Sequence, residues 1–449
     1  MTETQGQSPE KPSGRRINRK DFLKIGGAGL AGAALLGVAG CGGGGGSSGG
    51  SGQVVFSFGP DTSGSLTKLV DKFNKQNKGK YTVKYRTMPA DSGQYFDKVR
   101  TQFQAGGGDI DLIGGDVIWP AQLAANGWIA DLSDRLSGSD QSKFLDGTIK
   151  SNTYKGKLYG IPLFTDAGML YYRKDLLEKN GFKQPPKTWD ELNQMAAKVQ
   201  QAEGTKYGFV FQGSQYEGGV VNGLEYINSY GGKVLDPSDA SKVVIDSPES
   251  AKGLAQPGSF IKDKVAPLAV TNYTETESQT TFLNGDCVFC RNWPYMYALA
   301  ADPKQSKIKT SQVGVAPLPA GSAGSVSGLG GWNFYINAAS DSGKQDTAYE
   351  FIKFATAPEQ QKYRALNGSF LPTLKDLYKD KQILDAVPVI KLAGEALANT
   401  VPRPISPAYS DMSLKMAEQF NKAFKGDVSP EQAVKTLQTE LQQIADQAS

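Results

Sequence analysis

Ile110-Asp111-Leu112-Ile113-Gly114-Gly115-Asp116 is a short aliphatic run that stops at two glycines and an aspartate. It reads as a buried strand whose carboxyl end is marked by Asp116. Immediately upstream, Phe96, Val99 and Phe103 recur at helical spacing. Further back, residues 81–85 form a β-rich run, Leu66, Leu69, Val70 and Phe73 mark another helix, and residues 54–58 make a first strand. Strand, helix, strand, helix, strand implies a parallel sheet with right-handed crossovers. In open sheets of this kind ligands sit beyond the carboxyl ends of the strands, which is where Asp116 falls.

Downstream the theme is repeated. Thr188-Trp189-Asp190-Glu191 has the pattern of a capping box opening a helix through 199, and 207–212 then reads as a strand. Ser247-Pro248-Glu249 starts another helix, with serine as cap and proline in the first turn. Strands are expected near 288 and at 313–316, and helices near 343–356, 411–424 and 430–447, the last opened by Ser429-Pro430-Glu431. No repeat of solenoid period is visible. The fold class expected is α/β. A body of roughly 400 residues is too large for one typical core and about right for two lobes with a cleft between them.

The first forty residues are an address and not part of the fold. Arg15, Arg16, Arg19, Lys20 and Lys24 precede a Gly/Ala/Leu-rich apolar stretch at 25–40, too short and glycine-rich for a stable membrane span. It reads as an export signal. Its end, Val38-Ala39-Gly40-Cys41, matches a bacterial lipobox, so Cys41 is expected to carry lipid. Asn18-Arg19-Lys20-Asp21-Phe22-Leu23-Lys24 resembles a twin-arginine box with lysine for the second arginine, which leaves both that route and general secretion open. Residues 41–52, almost all Gly and Ser after the cysteine, behave as a flexible tether.

Formal charge is +4, of which the signal's six Lys/Arg and three acids account for most, so the mature chain is near neutral. Such balance gives no reason to expect nucleic acid, and membrane contact falls to the lipid. Histidine is absent, which disfavours Ser-His-Asp and Cys-His catalysis and removes the commonest zinc ligand. No metal site is expected. Beyond Cys41 the cysteines are Cys287 and Cys290, in Asp286-Cys287-Val288-Phe289-Cys290. On a buried strand, residues three apart face opposite ways, so two packed thiols are favoured over a disulfide or a redox pair.

The mature chain resembles the extracellular solute-binding proteins of carbohydrate ABC importers, most closely their trehalose/maltose-binding branch. The fragments that carry the likeness, in order, are Gly115-Asp116-Val117-Ile118-Trp119-Pro120, Gly127-Trp128-Ile129, the run from Tyr159-Gly160-Ile161-Pro162 through Thr165-Asp166-Ala167-Gly168 to Tyr171-Tyr172-Arg173, Tyr216-Glu217-Gly218, Asn292-Trp293-Pro294, Gly330-Gly331-Trp332-Asn333 and Leu371-Pro372-Thr373. The resemblance implies a two-lobed periplasmic-binding-protein-like fold whose chain crosses between lobes near 163–166, 315–318 and 370. The lobes would be 53–165 plus 317–369, and 166–316 plus 370–449. It implies a monomer tethered outside the cytoplasm, no cofactor, a carbohydrate ligand, and permease subunits in the membrane as partners.

Sugars present fans of hydroxyls, which carboxylates and guanidinium groups bind in pairs, and C–H faces that aromatic rings cover. Matched by motif, the resemblance places hydroxyl-binding carboxylates at Asp116 and Asp166, stacking rings at Trp293 and Trp332, an arginine at Arg403, and cleft-lining groups at Tyr216, Glu217 and Gly331. Asp61 and Tyr95 are candidates near the start of the mature chain, where the sequence departs from the branch pattern. Plainer roles stay open for several. Asp116 could cap a helix, Asp166 could hold an Asx turn, Tyr216-Glu217 could simply start a helix, and either tryptophan could be core. Binding of another solute, or an exported glycoside hydrolase using Asp116 and Asp166, are the competing functions. The Gly-flanked turns around both aspartates argue for ordinary ionised acceptors and against a catalytic acid.

Overall fold

The computed structural model describes residues 52–448. The export signal, Cys41 and the tether up to residue 51 lie outside the described residues.

The expected βαβαβ start is present. Strands Val54–Phe58, Val83–Thr87 and Leu112–Asp116 pair in parallel, with Phe56 opposite Tyr85 on one side and Leu112 on the other. Helix Ser65–Gln76 buries Leu66, Leu69, Val70 and Phe73, and helix Ser92–Gln104 buries Phe96, Val99 and Phe103. The sheet is mixed, however. Strand Ser327–Ile336 runs antiparallel both to Leu112–Asp116 and to Ile161–Ala167, and Thr400–Val401 is added at its start. The antiparallel members come from later in the chain, where the spacing of local helices and strands says nothing of their partners.

A second sheet is ordered Val313–Pro317, Met169–Arg173, Cys287–Asn292, Tyr207–Val210. Around it pack helices Trp189–Glu203, Glu217–Ser229, Pro248–Lys262, Tyr409–Lys425 and Pro430–Gln447. Helix Trp189–Glu203 starts at Thr188, whose hydroxyl accepts from the Glu191 amide at 3.1 Å. The reciprocal half of the expected capping box goes one residue further out, with Glu191 accepting from the Lys187 amide. Cys287 and Cys290 are free, buried thiols on their strand, as two packed thiols should be. Burial pushes both well above the ordinary thiol range.

Two sheets make two lobes, and three connections join them. Ile161–Ala167 belongs to the first sheet and Met169–Arg173 to the second, so the first crossing is at Gly168. The second lies between Pro317 and Ser327. The third is not near 370. Leu371 bridges Thr165, Leu374 bridges Phe144, and Thr400–Val401 pairs with the first sheet, so the chain is tied to the first lobe as late as residue 401, although helix Pro388–Ala398 in between also packs on strand Val313–Pro317 of the second sheet. The Phe370 ring packs 4.8 Å from that of Phe164, which holds this segment down. The third crossing therefore runs through 402–408, before helix Tyr409–Lys425 joins the second lobe.

A nearly solvent-free ion pair supports two of the crossings. Arg291 Nε donates to Glu225 Oε2 at 2.9 Å, and a second guanidinium N–H binds Glu225 Oε1. Their side chains are 1% and 2% exposed. Glu225 Oε1 also accepts from the Gly328 amide at 3.0 Å. A Cβ on Gly168 would lie 2.1 Å from the same oxygen, so only glycine lets the chain cross here.

Candidate functional site

Asp116, last residue of its strand, accepts from the Ser92 hydroxyl at 2.9 Å and from Arg403 Nη2 at 2.9 Å. The other arm of Arg403 donates to Glu217 Oε1 at 2.7 Å. Glu217 opens helix Glu217–Ser229, and the hydroxyls of Tyr409 and Ser413 complete its shell. One guanidinium thus ties a carboxylate of the first lobe to a carboxylate of the second. Arg403 itself sits in the third crossing, between Pro402 and Pro404, which fix φ on either side of it.

Asp116 is only 7% exposed. Burial raises its carboxyl pKa, Arg403 opposes the rise, and Glu217 adds to it. Burial works against the charge on Arg403 too, but Asp116 and Glu217 outweigh it and hold the guanidinium above its usual value. Asp166, in strand Ile161–Ala167, is 8% exposed, and no described residue donates a hydrogen bond to its carboxylate. Burial pushes it well above the carboxylate range against the pull of Arg291 and Arg364. The expectation of open turns is therefore corrected, because both aspartates are strand residues and nearly buried; burial raises both carboxyls, and at Asp116 the ion pair with Arg403 opposes the rise.

Trp332 stands directly opposite Asp116 across the antiparallel pair. Half-buried, it rests on Phe58, Trp119 and Tyr95, with ring centroids 5.1, 5.7 and 6.0 Å away. Tyr95 is fully buried beneath it and spends its hydroxyl on the Ser57 carbonyl at 2.6 Å. Its expected ligand contact is corrected to a role under Trp332. On the other wall Trp293 Nε1 donates to Glu275 Oε1 at 3.2 Å, and the Tyr216 hydroxyl donates to Glu275 Oε2 at 2.7 Å. The Arg291 guanidinium lies 4.0 Å from the Trp293 ring centroid. A Cβ on Gly330 would meet both the Trp293 ring and the Asp166 side chain, so these two flank one spot.

Two other expected residues sit differently. Asp61 caps the start of helix Ser65–Gln76, accepting from the Thr67 amide at 2.7 Å and from the hydroxyls of Thr67 and Ser63. Gly331 has φ 126°, and the space where its side chain would be is taken by the Phe164 carbonyl, so its glycine serves strand packing.

Glu275, Arg364, Tyr409 and Ser92 join this arrangement without having been legible in the sequence. Arg364 lies in Gln361-Lys362-Tyr363-Arg364, which reads as a solvated helix face. Yet it is 3% exposed, stacked on Phe370 and Phe164, and its pKa is lowered to about 10 by burial, against Asp61 and Asp166. The assembled groups offer buried carboxylates, three guanidinium groups and two partly open indoles, which is chemistry for gripping a polyhydroxylated molecule.

Known proteins share this architecture. Residues 59–362 match the family model described as bacterial extracellular solute-binding protein. A probable ABC transporter-binding protein of Deinococcus radiodurans is 37% identical over 372 residues, covering 81% of this chain and 86% of that one. The maltose-bound structure of T. maritima MalE3 is 41% identical with a TM-score of 0.82, covering 87% and 98% of the two chains. An Agrobacterium vitis ABC transporter solute-binding protein with bound D-mannitol is 27% identical with a TM-score of 0.74, over 87% and 97%.

Proposed function

The chain belongs to the bacterial extracellular solute-binding proteins, and from that premise we propose that it delivers a maltose- or trehalose-like di- or oligosaccharide to the permease of an ABC importer. The observation that carries the sugar is the bidentate Arg403, with Asp116 and Glu217 on its two arms and Trp332 beside Asp116. Carboxylates and guanidinium bind vicinal hydroxyls two at a time, and an indole covers the C–H face of a pyranose. The maltose held by the T. maritima relative supports the same ligand class. Asp116, Asp166, Tyr216, Glu217, Trp293, Trp332 and Arg403 contact the ligand in this reading.

The protein works outside the cytoplasm as a monomer, anchored by lipid on Cys41 to the outer face of the cell membrane. Sugar closes the two lobes by a hinge at the three crossings, and the closed form is what the permease recognises. The site binds and does not cleave.

The test is thermal unfolding of the full-length chain in detergent against di- and oligosaccharides, with chromatography of the recovered sugar. A ligand at about a hundred times its dissociation constant adds roughly 2.7 kcal/mol of stability. One sugar shifting the transition and returning intact is expected. Cleaved sugar would put a hydrolase using Asp116 and Asp166 in its place, and no shift from any sugar would mean a different class of solute.

A further inference from the structure

Arg364 projects from helix Pro358–Gly368 of the first lobe and is almost fully buried. Its guanidinium lies 4.4 Å from the Phe370 ring centroid and 5.0 Å from that of Phe164. It forms no ion pair and no hydrogen bond with any described residue, and its Nε is a buried donor without a partner. A buried guanidinium in that condition is held against a strong solvation preference, which a fold tolerates where function needs it. Asp166 is its counterpart. Asp116 takes hydrogen bonds from Ser92 and Arg403, whereas no described residue donates to the Asp166 carboxylate. Arg364 and Asp166 act on each other electrostatically, yet neither closes the distance to a direct pair.

Donor and acceptor from the same lobe, both nearly buried and neither hydrogen-bonded to a described residue, suit a group that accepts from one and donates to the other. A hydroxyl does both. Asp61 and Asp166 both act on Arg364 electrostatically and offset its charge, so the spot does not call for an anion and suits a neutral ligand. Trp293, which flanks Asp166 at Gly330, supplies a ring face at the same spot.

We propose that Arg364 is a ligand-contacting residue that, with Asp166, binds adjacent hydroxyls of one neutral sugar ring stacked on Trp293, a subsite beside the Asp116–Arg403–Glu217 cluster. This rests on the sugar-binding reading above.

The experiment is calorimetric titration of the full-length chain in detergent with maltose and its monodeoxy derivatives, for the native protein, Arg364→Met, Arg364→Lys and Asp166→Asn. Each variant's fold is checked by circular dichroism. The native chain should bind at least one monodeoxy derivative on the order of tenfold more weakly than maltose. Arg364→Met should bind maltose more weakly by a similar factor and no longer distinguish that derivative, Arg364→Lys should recover part of the loss, and Asp166→Asn should lose discrimination at the same or the adjacent hydroxyl. Native preferences retained in folded Arg364→Met would overturn the assignment while leaving the sugar reading intact. A native chain that binds no sugar would remove both.

Discussion

Arg403 and Asp116 are joined at 2.9 Å across the point where the chain passes between lobes for the third time, with Glu217 on the other arm. The guanidinium is thus a structural tie and, in the function proposed above, a ligand-facing group as well. Arg403→Met leaves two buried carboxylates without a cation, which should lower stability by about 3–5 kcal/mol in urea unfolding and abolish any sugar-induced shift. Arg403→Lys keeps the charge but cannot fork to both partners, and an intermediate loss is expected. Equal stability of native and Arg403→Met would show that the tie is not formed in solution.

Asp166 should trade stability for binding. Burial raises its folded-state pKa above the value it has in the unfolded chain, so the folded protein holds that proton to higher pH. Its unfavourable contribution grows as pH rises from the ordinary carboxylate range through the raised value, and vanishes below both. Asp166→Asn should therefore melt higher than the native chain at neutral pH, and the gap should shrink on acidification toward about pH 4. Calorimetric melting of both proteins without sugar checks this. A lower melting temperature for the variant at neutral pH contradicts it.

Glu225 and Arg291 form another buried ion pair, with the guanidinium also lying against the Trp293 ring. Glu225→Gln leaves Arg291 uncompensated in a water-free setting, with an expected loss of about 3–5 kcal/mol in chemical denaturation. Because Glu225 also holds the Gly328 amide, the variant should unfold with the crossings loosened first, seen as early hydrogen exchange around 168 and 328.

Tyr95 separates packing from recognition. Tyr95→Phe removes the hydroxyl bonded to the Ser57 carbonyl and should cost about 1–2 kcal/mol of stability, with sugar affinity unchanged. A selective fall in affinity at native stability would return Tyr95 to the ligand's surface.

Local pattern made much of this legible. The strand and helix order of residues 54–116 follows from hydrophobic period alone, and the glycines and carboxylate that end strand Leu112–Asp116 mark the ligand edge. Asp116, Glu217 and Arg403, far apart in sequence and brought together only by the family resemblance, do converge. Residues whose role depends on what another segment covers were not readable. Tyr95 looks like any half-exposed helix residue until Trp332 is laid over it, and Arg364 looks solvated until Phe164 and Phe370 enclose it. The third crossing was misplaced for the same reason, since only the pairing of Thr400–Val401 with a strand begun at Ser327 keeps the segment after 370 in the first lobe.

Strand Ser327–Ile336 sits in the middle of the first sheet, between Leu112–Asp116 and Ile161–Ala167. A chain made from its amino end therefore emits two strands that await a neighbour more than a hundred and fifty residues later. The lobe that begins first is completed late, after the strands of the other sheet have already emerged. Such long-range closure slows folding and prolongs the exposure of bare strand edges. A nascent or translocating form of this protein carries a half-built sheet while about two hundred further residues are made, and a holding chaperone has most to offer it in that interval.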